Sequence, residues 1–353
     1  MAGKDKVKFG FVGTGRRGLN HLRTIKTFEE ASVEALCDVS ESNLEKACSE
    51  VDARTYVNLD DMLANESLDA VVISTPTVFH VPQTIKCLEN GLHVLLEKPV
   101  ALSMDEVNRL FDVVERSSSI VMVGFQTRYS DVAERIRENV DKDTLSMIAG
   151  YWYWTIPLVR WIARRNKGGG QMVDQTIHLI DLARYIAGEA ETVYAEYTQR
   201  GRHTAEDRAS GFDNWASYAV TIRFKNGVIG NLYSTYALYP DVFRSTAESV
   251  ESDKATRESS VILDVICREL LIRYVHARET RVYRKGEEIK VYRRKDDPTR
   301  KMHKAFIAAI QTGDKSLVRT PYEDSYKTMA ISLGATRSSI MHMPVNLDTF
   351  MKH

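Results

Sequence analysis

Apolar and polar positions follow one rhythm up to about residue 125 and another beyond it. In the first part, short continuous apolar runs at residues 7–12, 33–37, 70–74, 93–96 and 121–125 are separated by stretches of helical periodicity at 41–50, 59–65, 79–89 and 105–116. Runs without polar alternation describe strands buried on both faces, and helices between them are the crossovers of a parallel sheet. The pattern predicts a doubly wound domain over residues 1–125.

Residues 126–353 read differently. A helix is expected at 132–139, an aromatic strand at 150–154 and a helix at 174–186. Period-two alternation then dominates, at 216–224 and 228–236 around Asn226-Gly227, a strong hairpin signal, and again at 261–265, 270–275 and 288–292. Helices at 301–311 and 322–340 close the chain. The expected fold class is α/β, with a C-terminal α+β domain built on a large, mostly antiparallel open sheet with helices on one face.

The junction of the first strand and the first helix carries chemistry. Val7-Lys8-Phe9-Gly10-Phe11-Val12 runs into Gly13-Thr14-Gly15-Arg16-Arg17-Gly18, the G-x-G-x-x-G spacing of a dinucleotide-binding turn. The first glycine permits the tight turn, the second removes a Cβ from the path of a pyrophosphate, and the third lets helix and strand approach. The helix N-terminus then presents N–H groups to phosphate. Asp38 ends the next strand, twenty residues after Gly18, where a carboxylate can bind ribose hydroxyls. That carboxylate favours NAD over NADP, while Arg16 and Arg17 are guanidinium groups that could grip a 2′-phosphate and keep NADP in play.

Composition narrows the field. The 353 residues carry 48 basic and 48 acidic side chains, so no net field favours nucleic acid or an anionic membrane. No apolar run is long enough to cross a bilayer, and the first residues do not read as a signal peptide. Cys37, Cys48, Cys87 and Cys267 form no C-x-x-C pair and read as reduced residues of a cytoplasmic protein.

Three other segments draw attention. Glu97-Lys98-Pro99 follows a strand of the parallel sheet, so Lys98 would emerge at the ligand crevice or else be a solvated loop lysine. Pro99 could hold a cis bond. Asp174 and His178, after Gly168-Gly169-Gly170, are four apart and Asp181 three further on, so all three are expected along one helix face. They read as an acid–base group, a surface ion pair or a metal site; with no second histidine at ligand spacing, no metal is expected. Ser74-Thr75-Pro76, with His80 opening the next helix, would border the nicotinamide, His80 being a cofactor contact or a capping or surface residue. Trp152 and Trp154 alternate with Tyr151 and Tyr153 and either pack the sheet, cover a subunit interface or stack on a sugar.

With these motifs and Gly124-Phe125-Gln126-Thr127-Arg128-Tyr129, the chain resembles the glucose–fructose oxidoreductase and inositol dehydrogenase (Gfo/Idh/MocA) family over nearly its whole length. The resemblance implies an N-terminal Rossmann domain and hydride transfer between a nicotinamide cofactor and a sugar, inositol or related polyol. It makes Lys98, Asp174 and His178 the catalytic group. His178 would take the hydroxyl proton, Lys98 polarise the reacting oxygen, and Asp174 bind a neighbouring hydroxyl. It extends the cofactor contacts to Glu97 and Gln126, and the substrate contacts to Arg128, Trp154, Arg160 and Trp161, and implies a homodimer or homotetramer. Thr176 and Gln126 depart from the residues frequent in the family and bear on substrate identity. An NAD-retaining glycoside hydrolase, a non-catalytic sensor on the same scaffold and a reductase of non-sugar carbonyl compounds are the competing readings.

Overall fold

The structure, a computed structural model, describes residues 6–154, 160–238 and 260–351. Its first sheet has six strands: β1 (Val7–Val12), β2 (Ala31–Cys37), β3 (Arg54–Tyr56), β4 (Ala70–Ile73), β5 (His93–Leu96) and β6 (Val121–Val123). They run parallel in the order β3-β2-β1-β4-β5-β6. The crossovers are α1 (Arg16–Ile25), α2 (Glu41–Cys48), α3 (Leu59–Asn65), α4 (His80–Glu89) and α5 (Met104–Arg116). Sequence dictates where three of these begin. The side chains of Ser40, Asn58 and Ser103 accept hydrogen bonds from the first-turn N–H groups of Asn43, Asp60 and Glu106. The edge strand β3 is three residues long and carries no apolar run, because its side chains are exposed or half-buried.

The second sheet has nine strands: β7 (Met147–Tyr153), β8 (Ala190–Thr198), β9 (Ser217–Phe224), β10 (Ile229–Thr235), β11 (Val261–Cys267), β12 (Leu270–Val275), β13 (Glu279–Arg284), β14 (Lys290–Arg293) and β15 (Val345–Asn346). Their order is β14-β13-β12-β11-β7-β10-β9-β8-β15. Only β7 and β10 pair in parallel; the other ladders are antiparallel. The expected hairpin forms at Asn226-Gly227, where Gly227 takes φ 88°. The helices of this part are α6 (Asp131–Asn139), α7 (Arg165–Gly168), α8 (Gln171–Asp174), α9 (Ile177–Ala187) and α10 (Ala205–Ala209), followed by α11 (Pro298–Thr312), α12 (Tyr322–Met341) and α13 (Leu347–Met351).

Contacts divide the chain into two units, Met1–Tyr129 with Asp297–Tyr326, and Ser130–Asp296 with Lys327–His353. The segment Asp297–Tyr326, which the alternation places after the 125/126 boundary, thus lies with the first unit. The reason is its apolar face. Met302, Phe306, Ile307 and Ala309 recur at helical spacing and are buried in one core with Phe9, Leu22 and Ile25. The Phe306 and Phe9 rings lie 6.2 Å apart. No helix among the described residues is long and apolar enough to cross a membrane.

Candidate active site

In the first unit, strand order reverses between β1 and β4, and the turns that follow these strands touch. Gly13 takes φ +88°, and a Cβ there would lie 2.8 Å from the Ser74 carbonyl carbon. A Cβ on Gly18 would fall 2.0 Å from the Gly13 carbonyl oxygen. At Gly15 the nearest atom to a Cβ would be Asn43 Nδ2, 3.9 Å away, so the backbone before α1 faces open ground. These are the separate demands of turn, helix approach and phosphate cradle, and the residues present fit a dinucleotide.

Beside this turn, the buried Thr14 donates to Asp38 Oδ2 from its N–H at 2.7 Å and its hydroxyl at 3.1 Å. Ser40 N–H and Asn43 Nδ2 also donate to that carboxylate, at 2.9 and 3.2 Å. The Ser74 hydroxyl donates to the Gly13 carbonyl at 2.7 Å, and Thr75 to Gln83 at 2.6 Å; Pro76 is exposed.

The peptide bond between Lys98 and Pro99 is cis. His80 is 2% exposed, with Nδ1 2.8 Å from the Pro99 carbonyl and Nε2 2.8 Å from that of Thr75. Burial lowers its pKa below the ordinary imidazole value, against the pull of both carbonyls. His80 therefore ties the turn after β4 to the turn after β5, which corrects the surface and capping readings. Lys98 itself is half-buried.

In the second unit, α8 ends at Asp174 and α9 starts at Ile177, with Gln175 (φ −110°) between them. This break corrects the continuous helix expected over 174–186 and the single face expected for Asp174, His178 and Asp181. Asp181 is fully buried and accepts from the Thr328 hydroxyl at 2.9 Å. Asp174 is 7% exposed, close to Tyr236. Burial above all, then the charge of Asp174, pushes the Tyr236 phenol well above its usual range. The neighbouring Tyr218 hydroxyl accepts from the Gln171 N–H and donates to the Trp215 carbonyl, both at 3.0 Å.

The half-buried His178 ring stacks near Trp152 at 6.1 Å and lies 6.4 Å from His276, which is 4.8 Å from Trp152. On the opposite face of β7, Tyr151 and Tyr153 stack at 4.3 Å. Trp154 and Trp161 are half-buried. Arg160 opens the turn Arg160–Ala163, but its side chain lies outside the described residues.

Two family models cover most of the chain. Residues 7–125 match the oxidoreductase family, NAD-binding Rossmann fold, and residues 135–248 match the GFO/IDH/MocA C-terminal domain. The chain belongs to the GFO/IDH/MocA oxidoreductase family. It is 27% identical over 236 residues to a myo-inositol 2-dehydrogenase of Thermotoga maritima, an alignment covering 64% of this chain and 67% of that one. It is 29% identical over 171 residues to a glycosyl hydrolase family 109 protein of Shewanella baltica, covering 44% and 36%. The WlbA dehydrogenase of Bordetella pertussis, solved with NADH and UDP-GlcNAcA, has the same fold, with TM-score 0.79, 20% identity and coverage of 97% and 98%.

As a GFO/IDH/MocA domain, the first unit is an NAD(P)-binding Rossmann domain, yet several of its expected cofactor contacts are turned elsewhere. Arg17 donates to Glu97 at 2.6 Å and to Gln126 at 3.0 Å, and Gln126 also accepts from Thr299 at 2.7 Å. Glu97 is 4% exposed. These three side chains face one another, whereas Arg16 is exposed. Arg128, expected at substrate, is 3% exposed and ion-paired with Asp324 inside the first unit. Residues that the sequence reading passed over are His21, His303, Tyr218, Tyr236 and His276. Tyr236 was within reach, because inward alternation from Leu232 through Ser234 points to it.

Proposed function

We propose that this protein is an NAD-dependent dehydrogenase acting on a secondary hydroxyl of a sugar, inositol or related polyol. The observation that carries the reading is the surroundings of Asp174 and the α8–α9 break. Gln171 Oε1, Thr176 Oγ1, Ser234 Oγ and Tyr236 Oη are buried polar atoms with no hydrogen-bond partner among the described residues. Each such atom left dry costs about 1–3 kcal/mol, a cost that a ligand rich in hydroxyls offsets.

Nicotinamide, when bound, supplies the hydride acceptor. His178 takes the proton from the substrate hydroxyl, Lys98 stabilises negative charge on that oxygen, and Asp174 accepts from a neighbouring hydroxyl. NAD is favoured over NADP because Asp38 repels a 2′-phosphate and Arg17 is already committed to Glu97 and Gln126. A homodimer or homotetramer is supported by the outer face of the second sheet, where Tyr194, Ile229 and Tyr233 are exposed and Tyr151 stacks on Tyr153.

The test follows reduced-nicotinamide absorbance with NAD and separately NADP, against inositols, aldoses, polyols and acid sugars. NAD-dependent turnover that collapses in His178→Ala supports the reading. NAD retained through purification, with glycoside cleavage and no net NADH, overturns it in favour of the NAD-using hydrolase that the family 109 similarity brings forward.

A further inference from the structure

The Glu97 carboxylate sits at the centre of a buried chain of groups drawn from separate parts of the first unit. Its Oε1 faces Arg17 Nε at 2.6 Å and His21 Nε2 at 2.7 Å, both from α1. Its Oε2 accepts the N–H of Lys98 at 3.1 Å. Behind His21, Nδ1 meets His303 Nε2 at 2.8 Å, from α11. Glu97, His21 and His303 are 4%, 0% and 0% exposed.

The direction of each hydrogen bond follows from the end of the chain that is fixed. Burial alone would push the Glu97 pKa up, but Arg17, the His21 hydrogen bond and Lys98 hold it well below the ordinary carboxylate range. An ionised Glu97 only accepts, so His21 Nε2 bears hydrogen. Burial lowers the His21 pKa, and burial with its charged neighbours lowers that of His303 further. A neutral His21 presents a lone pair at Nδ1, so His303 donates from Nε2. His303 Nδ1 is then a bare acceptor, and it has no hydrogen-bond partner among the described residues. The opposite order would bury an unpaired N–H there, the costlier orphan.

We propose that Glu97 is a positioning residue for Lys98, held by Arg17 and His21 of the dinucleotide-binding helix, with His303 fixing the His21 tautomer. The helix that receives the pyrophosphate thereby also anchors the turn that carries the lysine. A reacting-oxygen cation needs its position held to within about half an ångström, and a carboxylate fixed by three donors supplies that. The role assigned to Lys98 rests on the dehydrogenase reading; the hydrogen-bond order does not.

Two measurements separate these. Nitrogen-15 NMR of the histidine-labelled wild-type protein, with resonances assigned by His21→Gln and His303→Gln, is expected to show both rings neutral with hydrogen on Nε2 at neutral pH. An imidazolium at His21, or an Nδ1–H tautomer at either ring, overturns the proposal. This result stands even if no substrate turns over, which would strike the dehydrogenase reading alone. In turnover, His303→Leu fills the space without a donor, whereas His303→Gln replaces Nε2 with an amide nitrogen. His303→Leu is expected to lower kcat about 10–100-fold with KM for NAD changed less than about twofold, and His303→Gln to recover most of the loss. Equal activity in the two variants, or a loss confined to KM, refutes the positioning role.

Discussion

At the strand ends of the first unit, the buried polar side chains satisfy one another: Thr14 with Asp38, Arg17 and His21 with Glu97, His80 with two carbonyls. Around the α8–α9 break of the second unit, Gln171 Oε1, Thr176 Oγ1, Ser234 Oγ and Tyr236 Oη have no protein partner among the described residues. Apart from His303 Nδ1 behind it, the first region is complete before any ligand arrives, as a fixed nucleotide cradle requires. The other carries an uncompensated desolvation cost, which under the proposed function a substrate's hydroxyls would offset. Under the proposed function, affinity for the cofactor is written in backbone shape, and selectivity for substrate in unspent hydrogen-bonding capacity.

The comparison breaks first at catalysis. Lys98→Met and His178→Ala are each expected to lower kcat by about 10²–10⁴-fold while NAD still binds, read by steady-state kinetics and NADH fluorescence. A Cβ at Gly18 has no room beside the Gly13 carbonyl, so Gly18→Val should abolish NAD binding in a titration while the second unit stays folded. Next come changes to the completed region. Phe306→Ala should destabilise the first unit by about 3–5 kcal/mol, seen in denaturant unfolding. His21→Leu, which removes a hydrogen bond to a charged group, should cost about 2 kcal/mol.

Acid provides a milder probe. In the unfolded chain the His21 and His303 rings bind a proton near pH 6.5, while burial keeps both neutral in the fold. The unfolded state therefore takes up more protons as pH falls below 6.5, and stability falls with it. Glu97, with its folded pKa held below 4.5, adds a further loss as pH drops below that value. Thermal melts should show this decline, flattened above pH 4.5 when both histidines are replaced by glutamine. The smallest loss of stability lies in the other region. Thr176→Val and Tyr236→Phe delete unpartnered atoms together with their desolvation cost, so each should leave the fold as stable or up to about 1–3 kcal/mol more stable, yet weaken substrate binding, seen as a raised KM.

The first unit was the more legible of the two. All its strands but the short edge strand β3 are continuous apolar runs, and the glycines of its first turn are forced by backbone contacts that few other residues tolerate, so pattern and geometry coincide. What escaped there is long-range: α11 joins the Rossmann core through Phe306, and His303 meets His21 across 282 positions of sequence. No local period reports such a pairing. In the second unit, alternation located β9, β10 and β12, but β8 and β13 were missed because charged and threonine side chains interrupt their apolar positions. The D-x-x-x-H spacing looked like one helical face because nothing in the letters marks the break at Gln175. Arg128 was misplaced for a related reason: an arginine beside a strand end looks the same whether it meets ligand or an internal carboxylate.

The most direct test of the central claim is deuterium transfer, using the polyol that turns over with NAD, labelled on its carbinol carbon. The deuterium is expected at C4 of the reduced nicotinamide, one for each ketone formed, with the transfer lost in His178→Ala. Ketone or cleaved glycoside formed without deuterium accumulating on the nicotinamide would contradict that claim.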